Sequence, residues 1–242
     1  MKEIISKLKD IVQVEQVSAS SYNVHLPILY YGGDWISIEV TSNCGNTFGV
    51  SDRGYAIANA QSIVNNLENS NFKRSISNVI KEYGLEASEQ GVLYLKDVHI
   101  DQLYSAISSI ASASQRLSGQ IIENCLIQET KKIHDLVANK LQILFKDEYK
   151  KKVIIDYEVL GQSSKQYNIP FCIDNSVKRF IEPVINNSNS IANVHTKFFD
   201  IGQNSQHRRE IIIDDFNNWE TPNIELLKPI CEIINPYNKI AI

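Results

Sequence analysis

Apolar residues recur at helical spacing over residues 3–13, where Ile4, Ile5, Leu8, Ile11 and Val12 share one face, so the chain is predicted to open with a short docking helix. The period then becomes alternating. Val14–Leu26 reads as a strand that stops at Pro27, and Trp35–Val40 alternates like a half-buried strand. A turn at 42–46 leads into Thr47–Val50, expected to return antiparallel as the second arm of a hairpin. Ser51-Asp52-Arg53-Gly54 closes the sheet and opens a helix. Helical spacing resumes at Ala56, Ala60, Ile63, Val64 and Leu67, and again at Ile76, Val79 and Ile80, stopping at Gly84. A short hairpin, Leu85–Ser88 and Val92–Leu95, follows about Gln90-Gly91.

Asp101 opens a helix with Leu103, Ile107 and Ile110 inward and a serine-rich polar face at Ser105, Ser108, Ser109, Ser112 and Ser114. From Ile121 to about Tyr149 the helical pattern runs on without Gly or Pro. Strands are expected at Val153–Leu160, Tyr167–Ile173 and Lys178–Ile185, then a helix over Ile191–Ile201. A buried strand at Glu210–Asp214, a helix over Asn223–Cys231 and a last strand at Lys239–Ile242 complete the chain. The order predicts an α+β protein in three parts. Residues 1–120 form a binding module with a small antiparallel sheet and flanking helices, 121–149 a long connecting helix, and 150–242 a mixed sheet.

Composition changes the picture only by exclusion. The 242 residues are 43% hydrophobic and 21% charged with a net charge of −4, which excludes a disordered chain and a wholly basic nucleic-acid coat. An excess of isoleucine (35) and asparagine (23) fits an AT-rich genome. Divided along the chain, residues 1–130 carry nine Lys+Arg and fourteen Asp+Glu (net −5), whereas 131–242 carry fifteen and fourteen (net +1). The basic clusters Lys150-Lys151-Lys152, Lys178-Arg179 and Arg208-Arg209 all fall in the second part and are the candidate phosphate contacts. No signal-peptide core and no run of about 18–20 apolar residues is present, so a cytoplasmic protein without membrane partners is expected. The four cysteines stand at least 47 residues apart and the five histidines share no ligand spacing, so neither a metal site nor a cofactor is expected from them.

A helix, three consecutive antiparallel strands, a crossover helix and a further strand is the element order of restriction-endonuclease-like nucleases. Their second and third strands supply clustered carboxylates that hold Mg2+ beside the scissile phosphate. Asp156, Glu158, Asp174 and Glu182 are the candidate catalytic acids. The fit is imperfect: Pro170 and Cys172 stand in the second strand where an acid is wanted, and Glu182 is followed by Pro183-Val184 where a lysine is wanted. A nuclease-like fold without catalysis is therefore expected, with Mg2+ relevant only to an active enzyme. In the first half, Tyr30-Tyr31-Gly32-Gly33-Asp34-Trp35 sets aromatics about a flexible turn, suited to stacking on a base or a partner or to packing at the sheet edge. Asp52-Arg53 is either an exposed acid–base turn or a plain strand-to-helix joint. Tyr30, Tyr31, Trp35, Asp52 and Arg53 are the candidate partner contacts.

The stretch Leu26-Pro27-Ile28-Leu29-Tyr30 through Asp34–Val40, then Phe48–Ile57, resembles the first half of an uncharacterised bacterial two-domain family, the domains of unknown function numbered 1828 and 1829. Tyr157–Ser164 with Tyr167 and Phe171 is similar to the opening of the partner domain, although family members often carry an acid near the Phe171 position. The resemblance implies a two-domain architecture and a setting in conflict between bacteria and phages or other mobile elements. The primary expectation is a nucleic-acid-associated protein of that setting. The alternatives are an inhibitor or adaptor that binds a host or phage protein through the acidic first half, and an active metal-dependent nuclease; homo-oligomerisation stays open.

Overall fold

A computed structural model describes residues 12–43, 45–64, 69–202 and 207–241, so all but the end of the helix predicted over 3–13 lies outside the described residues. The chain divides into two compact units, Met1–Leu126 and Ile127–Ile242. The mixed α+β architecture agrees with the pattern, but the long helix begins well before residue 121 and is not a separate connector. Helix α3, Leu103–Phe145, supplies residues to a core in each unit. The preceding helices are α1, Tyr55–Ile63, and α2, Asn69–Tyr83.

Unit 1 contains an antiparallel sheet of β1 (Gln13–Gln16), β2 (Ser21–Leu29), β3 (Trp35–Ser42), β4 (Thr47–Ser51), β5 (Glu86–Ala87) and β6 (Leu93–His99), ordered β1-β2-β3-β4-β6-β5. The segment Val14–Leu26 is two strands, not one, because the chain turns back at 17–20 and β1 pairs with β2. The predicted β3–β4 hairpin forms with Val40 opposite Val50. Alternation along β3 buries Ile36, Ile38 and Val40, each worth about 1.5–3 kcal/mol of apolar burial. The first half of α3 lies in this core through Ala106, Ile110, Ala113, Leu117 and Ile121. The serine-rich face is only partly polar: Ser114, like Ser118 one turn on, is fully buried and hydrogen-bonded.

Unit 2 holds a five-stranded sheet of β7 (Val153–Leu160), β8 (Gln166–Ile173), β9 (Lys178–Pro183), β10 (His207–Ile213) and β11 (Ile233–Pro236), ordered β11-β10-β9-β8-β7. β7, β8 and β9 form an antiparallel meander; β10 lies parallel to β9 and β11 parallel to β10. A short helix, α4 (Tyr149–Lys152), precedes the sheet, α5 (Ser188–Ile201) makes the β9–β10 crossover and α6 (Thr221–Leu227) the β10–β11 crossover. The three-isoleucine run of β10 alternates between cores. Ile211 and Ile213 join α5, whereas Ile212 joins Val137 and Leu141 of α3. The last strand lies at Ile233–Pro236 and not at 239–242; Pro236 ends it, and Ile240 beyond it packs into the core.

Two glycines test the packing of unit 1. Gly91 has φ +84°, and a Cβ there would meet Ile76, Phe72 and Ile57 side chains at 3.0, 3.1 and 3.2 Å. Gly33 has φ +89° but nothing within 4 Å. Gly91→Ala is expected to lower urea-unfolding stability by about 2–3 kcal/mol, through strain plus overpacking, and Gly33→Ala by only about 1 kcal/mol. Equal losses would show that packing around Gly91 is loose.

Candidate functional site

Strand register gathers the basic clusters of unit 2. Helix α4 runs into β7 at Val153, Val153 pairs with Ile173, and Ile173 with Arg179. Arg179 in turn pairs with Arg208, and Lys178 with His207. Lys150, Lys151, Lys152, Lys178, Arg179, Arg208 and Arg209 therefore belong to one end of the sheet, spread over about 15 Å at the usual spacing of strands.

Two of these cations are structural. Arg179 donates to both oxygens of buried Glu210, at 2.6 and 2.8 Å, and to the Ala241 carbonyl. Arg209 is 2% exposed and donates to Glu232 Oε1 at 2.8 Å and the Phe198 carbonyl at 2.9 Å. β10 is an interior strand whose alternate residues point into the α5 core, so a charge at 209 must be paired where it lies. Lys178 is half-buried against Tyr157, its Nζ 3.2 Å from the phenol oxygen and 3.7 Å from Asp174. Lys150, Lys151 and Arg208 are exposed and Lys152 half-buried. These four, with Lys178 at their edge, constitute the solvent-facing positive charge.

The candidate acids do not all converge. Asp174 follows the end of β8 at the basic end, and Glu182 stands four residues along β9 from Lys178, about 13 Å at strand rise. Glu158 is exposed and accepts from Gln166 Nε2 at 2.6 Å, while its neighbours Tyr157 and Val159 face the α5 core, so it occupies the opposite face from Glu182. Asp156 adopts φ +53°, and the ladder passes from Ile155–Phe171 to Tyr157–Ile169, leaving Asp156 and Pro170 without a ladder pair. Among the described residues no three His, Cys, Asp or Glu side chains are placed to share an ion.

Two residues missing from the sequence reading surround Glu182 and Asp156. Lys197 of α5 donates to Glu182 Oε1 at 2.7 Å and to the Asn168 carbonyl at 3.0 Å, while Glu182 Oε2 is buried with no hydrogen-bond partner among the described residues. Burial pushes the Glu182 carboxyl up despite the opposing pull of Lys197. His134 of α3 lies 5.8 Å from the Phe171 ring. Burial holds its imidazole below the ordinary value against the pull of Asp156, and Lys197 adds to the lowering. The only sequence signal for Lys197 is its place beside the stripe Ile191, Val194, Phe198 and Ile201.

In unit 1 the candidate contacts separate into two sets. Asp52 is fully buried: Oδ1 accepts from the backbone N–H of Gly54 (2.9 Å) and Leu93 (2.8 Å), and Oδ2 from Ser114 Oγ (3.0 Å) and, more weakly, the Ala56 N–H (3.4 Å). Ser114 Oγ lies 2.6 Å from Tyr30 Oη, and Tyr30 is 5% exposed. Asp52 is thus the tie between β4, α1, β6 and α3, not an exposed half of an acid–base turn, and the Tyr30 hydroxyl is internal. Its neighbour Arg53 points outward, 3.5 Å from Glu39. Tyr31 and Trp35 are exposed, and Trp35 borders an open cleft of about 310 Å³ whose lining includes Tyr30, Tyr55, Asp34 and Asn59.

No protein-family model matches the chain, and no curated protein or solved structure matches it significantly.

Two predictions follow from the buried acids. Asp52→Ala removes an acceptor from four donors and is expected to cost about 3 kcal/mol or more, whereas Asp52→Asn costs about 1, because Asn Oδ1 still accepts from Gly54 and Leu93 and Ser114 reverses to accept from Nδ2. Burial, outweighing those bonds, holds the Asp52 carboxyl above its ordinary 3.8. A carboxyl raised in the folded state contributes stability when protonated, and that contribution is lost as pH rises from about 4 through the folded value. Thermal melts between pH 4 and 8 should show wild type losing stability relative to Asp52→Asn; a parallel course would refute the assignment. Lys197→Met should cost about 3 kcal/mol by stranding Glu182, and adding Glu182→Leu should restore most of it; purely additive losses would show that the pair does not interact.

Proposed function

We propose that the chain is a nucleic-acid-associated protein of phage–host conflict, acting through a restriction-endonuclease-like second unit whose catalysis has been lost. One observation carries the reading: strand register places Lys150–Lys152, Lys178 and Arg208 together at one end of the unit 2 sheet. Phosphates attract such a group without regard to base sequence, and each contact releases a counterion. The nuclease-like architecture is supported by the order helix, antiparallel meander, crossover helix and parallel strand, with α3 and α5 packed on opposite faces of the sheet. Loss of catalysis is supported by the separation of Glu158 and Asp174 from Glu182 and by the burial of Glu182 against Lys197. The setting rests on the resemblance of residues 26–57 alone.

Fluorescence anisotropy of the full chain with a labelled duplex of about 20 base pairs tests this directly. Binding is expected at about 50 mM salt, with log affinity falling against log salt at a slope of about −4 for four to five contacts. Lys150→Glu with Lys151→Glu should weaken binding at least about tenfold, whereas Glu158→Gln leaves it unchanged. No binding at that salt would end the proposal. Duplex cleavage with added Mg2+ that Glu182→Gln abolishes would replace it with an active nuclease.

A further inference from the structure

Unit 1 carries a second kind of chemistry, opposite in sign. Its cleft of about 310 Å³ is lined by Tyr30, Trp35 and Tyr55 together with Asp34, Ser37, Ala58, Asn59 and Ser62. Trp35 is 55% and Tyr55 40% exposed, so large aromatic surfaces stand in water beside a carboxylate. The lining includes no Lys, Arg or His, and Asp34 is its one formal charge.

The polar side of the cleft is organised. Asn59 Oδ1 accepts from buried Ser118 at 2.8 Å, which fixes the amide so that Nδ2 donates to Asp34 Oδ2 at 3.3 Å. The backbone holds Asp34 in place as well, its carbonyl accepting from the Tyr30 N–H at 2.8 Å. Among the described residues no hydrogen bond satisfies Asp34 Oδ1. A carboxylate with no Lys, Arg or His beside it in the described cleft lining repels phosphate and carboxylate ligands. Aromatic faces carry the negative part of a quadrupole and favour a positive group over an uncharged one of equal shape. The acidic surplus of residues 1–130, net −5, adds a field of the same sign.

We propose that this cleft binds an organic cation, a guanidinium or ammonium head set against Trp35 and Tyr55 and paired with Asp34. The head belongs either to a free small amine or to an Arg or Lys side chain of a basic protein; the recognition chemistry is the same. This inference is independent of nucleic-acid binding by unit 2, and failure of one leaves the other standing.

Calorimetry on the full chain tests it with agmatine, with choline against its uncharged isostere 3,3-dimethyl-1-butanol, with guanosine, and with a short arginine-containing peptide. Choline is expected to bind at least about tenfold more tightly than the isostere, and Asp34→Asn and Trp35→Ala each to weaken agmatine binding about tenfold or more. Both residues are exposed, and circular dichroism confirms that each variant is folded. Of the two tryptophans, Trp219 is held by Asp214 in unit 2, so only the Trp35 indole N–H signal should shift on titration. A peptide tighter than agmatine identifies a protein side chain as the source, and the reverse order a free amine. Equal binding of choline and its isostere, guanosine tighter than agmatine, indifference to Asp34→Asn, or no cation bound at about 10 mM would each overturn the proposal.

Discussion

Charge taken out of water must find a partner, and that requirement decides which polar residues of this protein are left for other work. Asp52 has no solvent contact and is satisfied by donors from three backbone positions and one serine. Those donors belong to the β4–α1 turn, to β6 and to α3, so the neutralisation of one carboxylate also sets how these elements meet. In unit 2 the same requirement binds Arg179 to Glu210, Arg209 to Glu232 and Lys197 to Glu182. Outside these pairs stand, among other exposed charges, a basic sheet end in one unit and a carboxylate beside exposed aromatics in the other.

Helix α3 faces a different constraint, because one regular element must furnish a wall to two cores. Its first half does so with small residues, Ala106, Ala111, Ala113, Ser114 and Ser118, set among Ile110, Leu117, Ile121 and Ile122, all buried. Its second half uses Ile133, Val137 and Leu141.

Much of the architecture was legible from periodicity. Ile36, Ile38 and Val40 alternate cleanly because β3 has one buried face, and the Ile211–Ile213 run marked a strand covered on both faces. The errors have physical sources. Serine at 114 and 118 reads as polar, but a hydroxyl with a buried acceptor belongs in a core. Arg209 reads as half of a basic cluster, because a pair of arginines does not disclose that strand alternation sends one outward and one inward. Lys197 was invisible as a partner of Glu182, since the contact joins a strand to a helix fifteen positions on and no local pattern encodes it. The boundary near residue 126 was also hidden, as the helical period crosses it without a break.

Asp156 has a consequence at the margin of the sheet. β7 is an edge strand of eight residues on which Ile154, Ile155 and Leu160 are exposed, a length and composition suited to recruiting a strand from another chain. The left-handed residue at 156 interrupts the flat run of free N–H and C=O groups at its middle, and Glu158 puts a charge two residues farther on. An acid pair that resembles a catalytic motif thereby has a second physical effect: a backbone break and a charge on an edge strand with exposed apolar side chains, both features that disfavour edge-to-edge pairing.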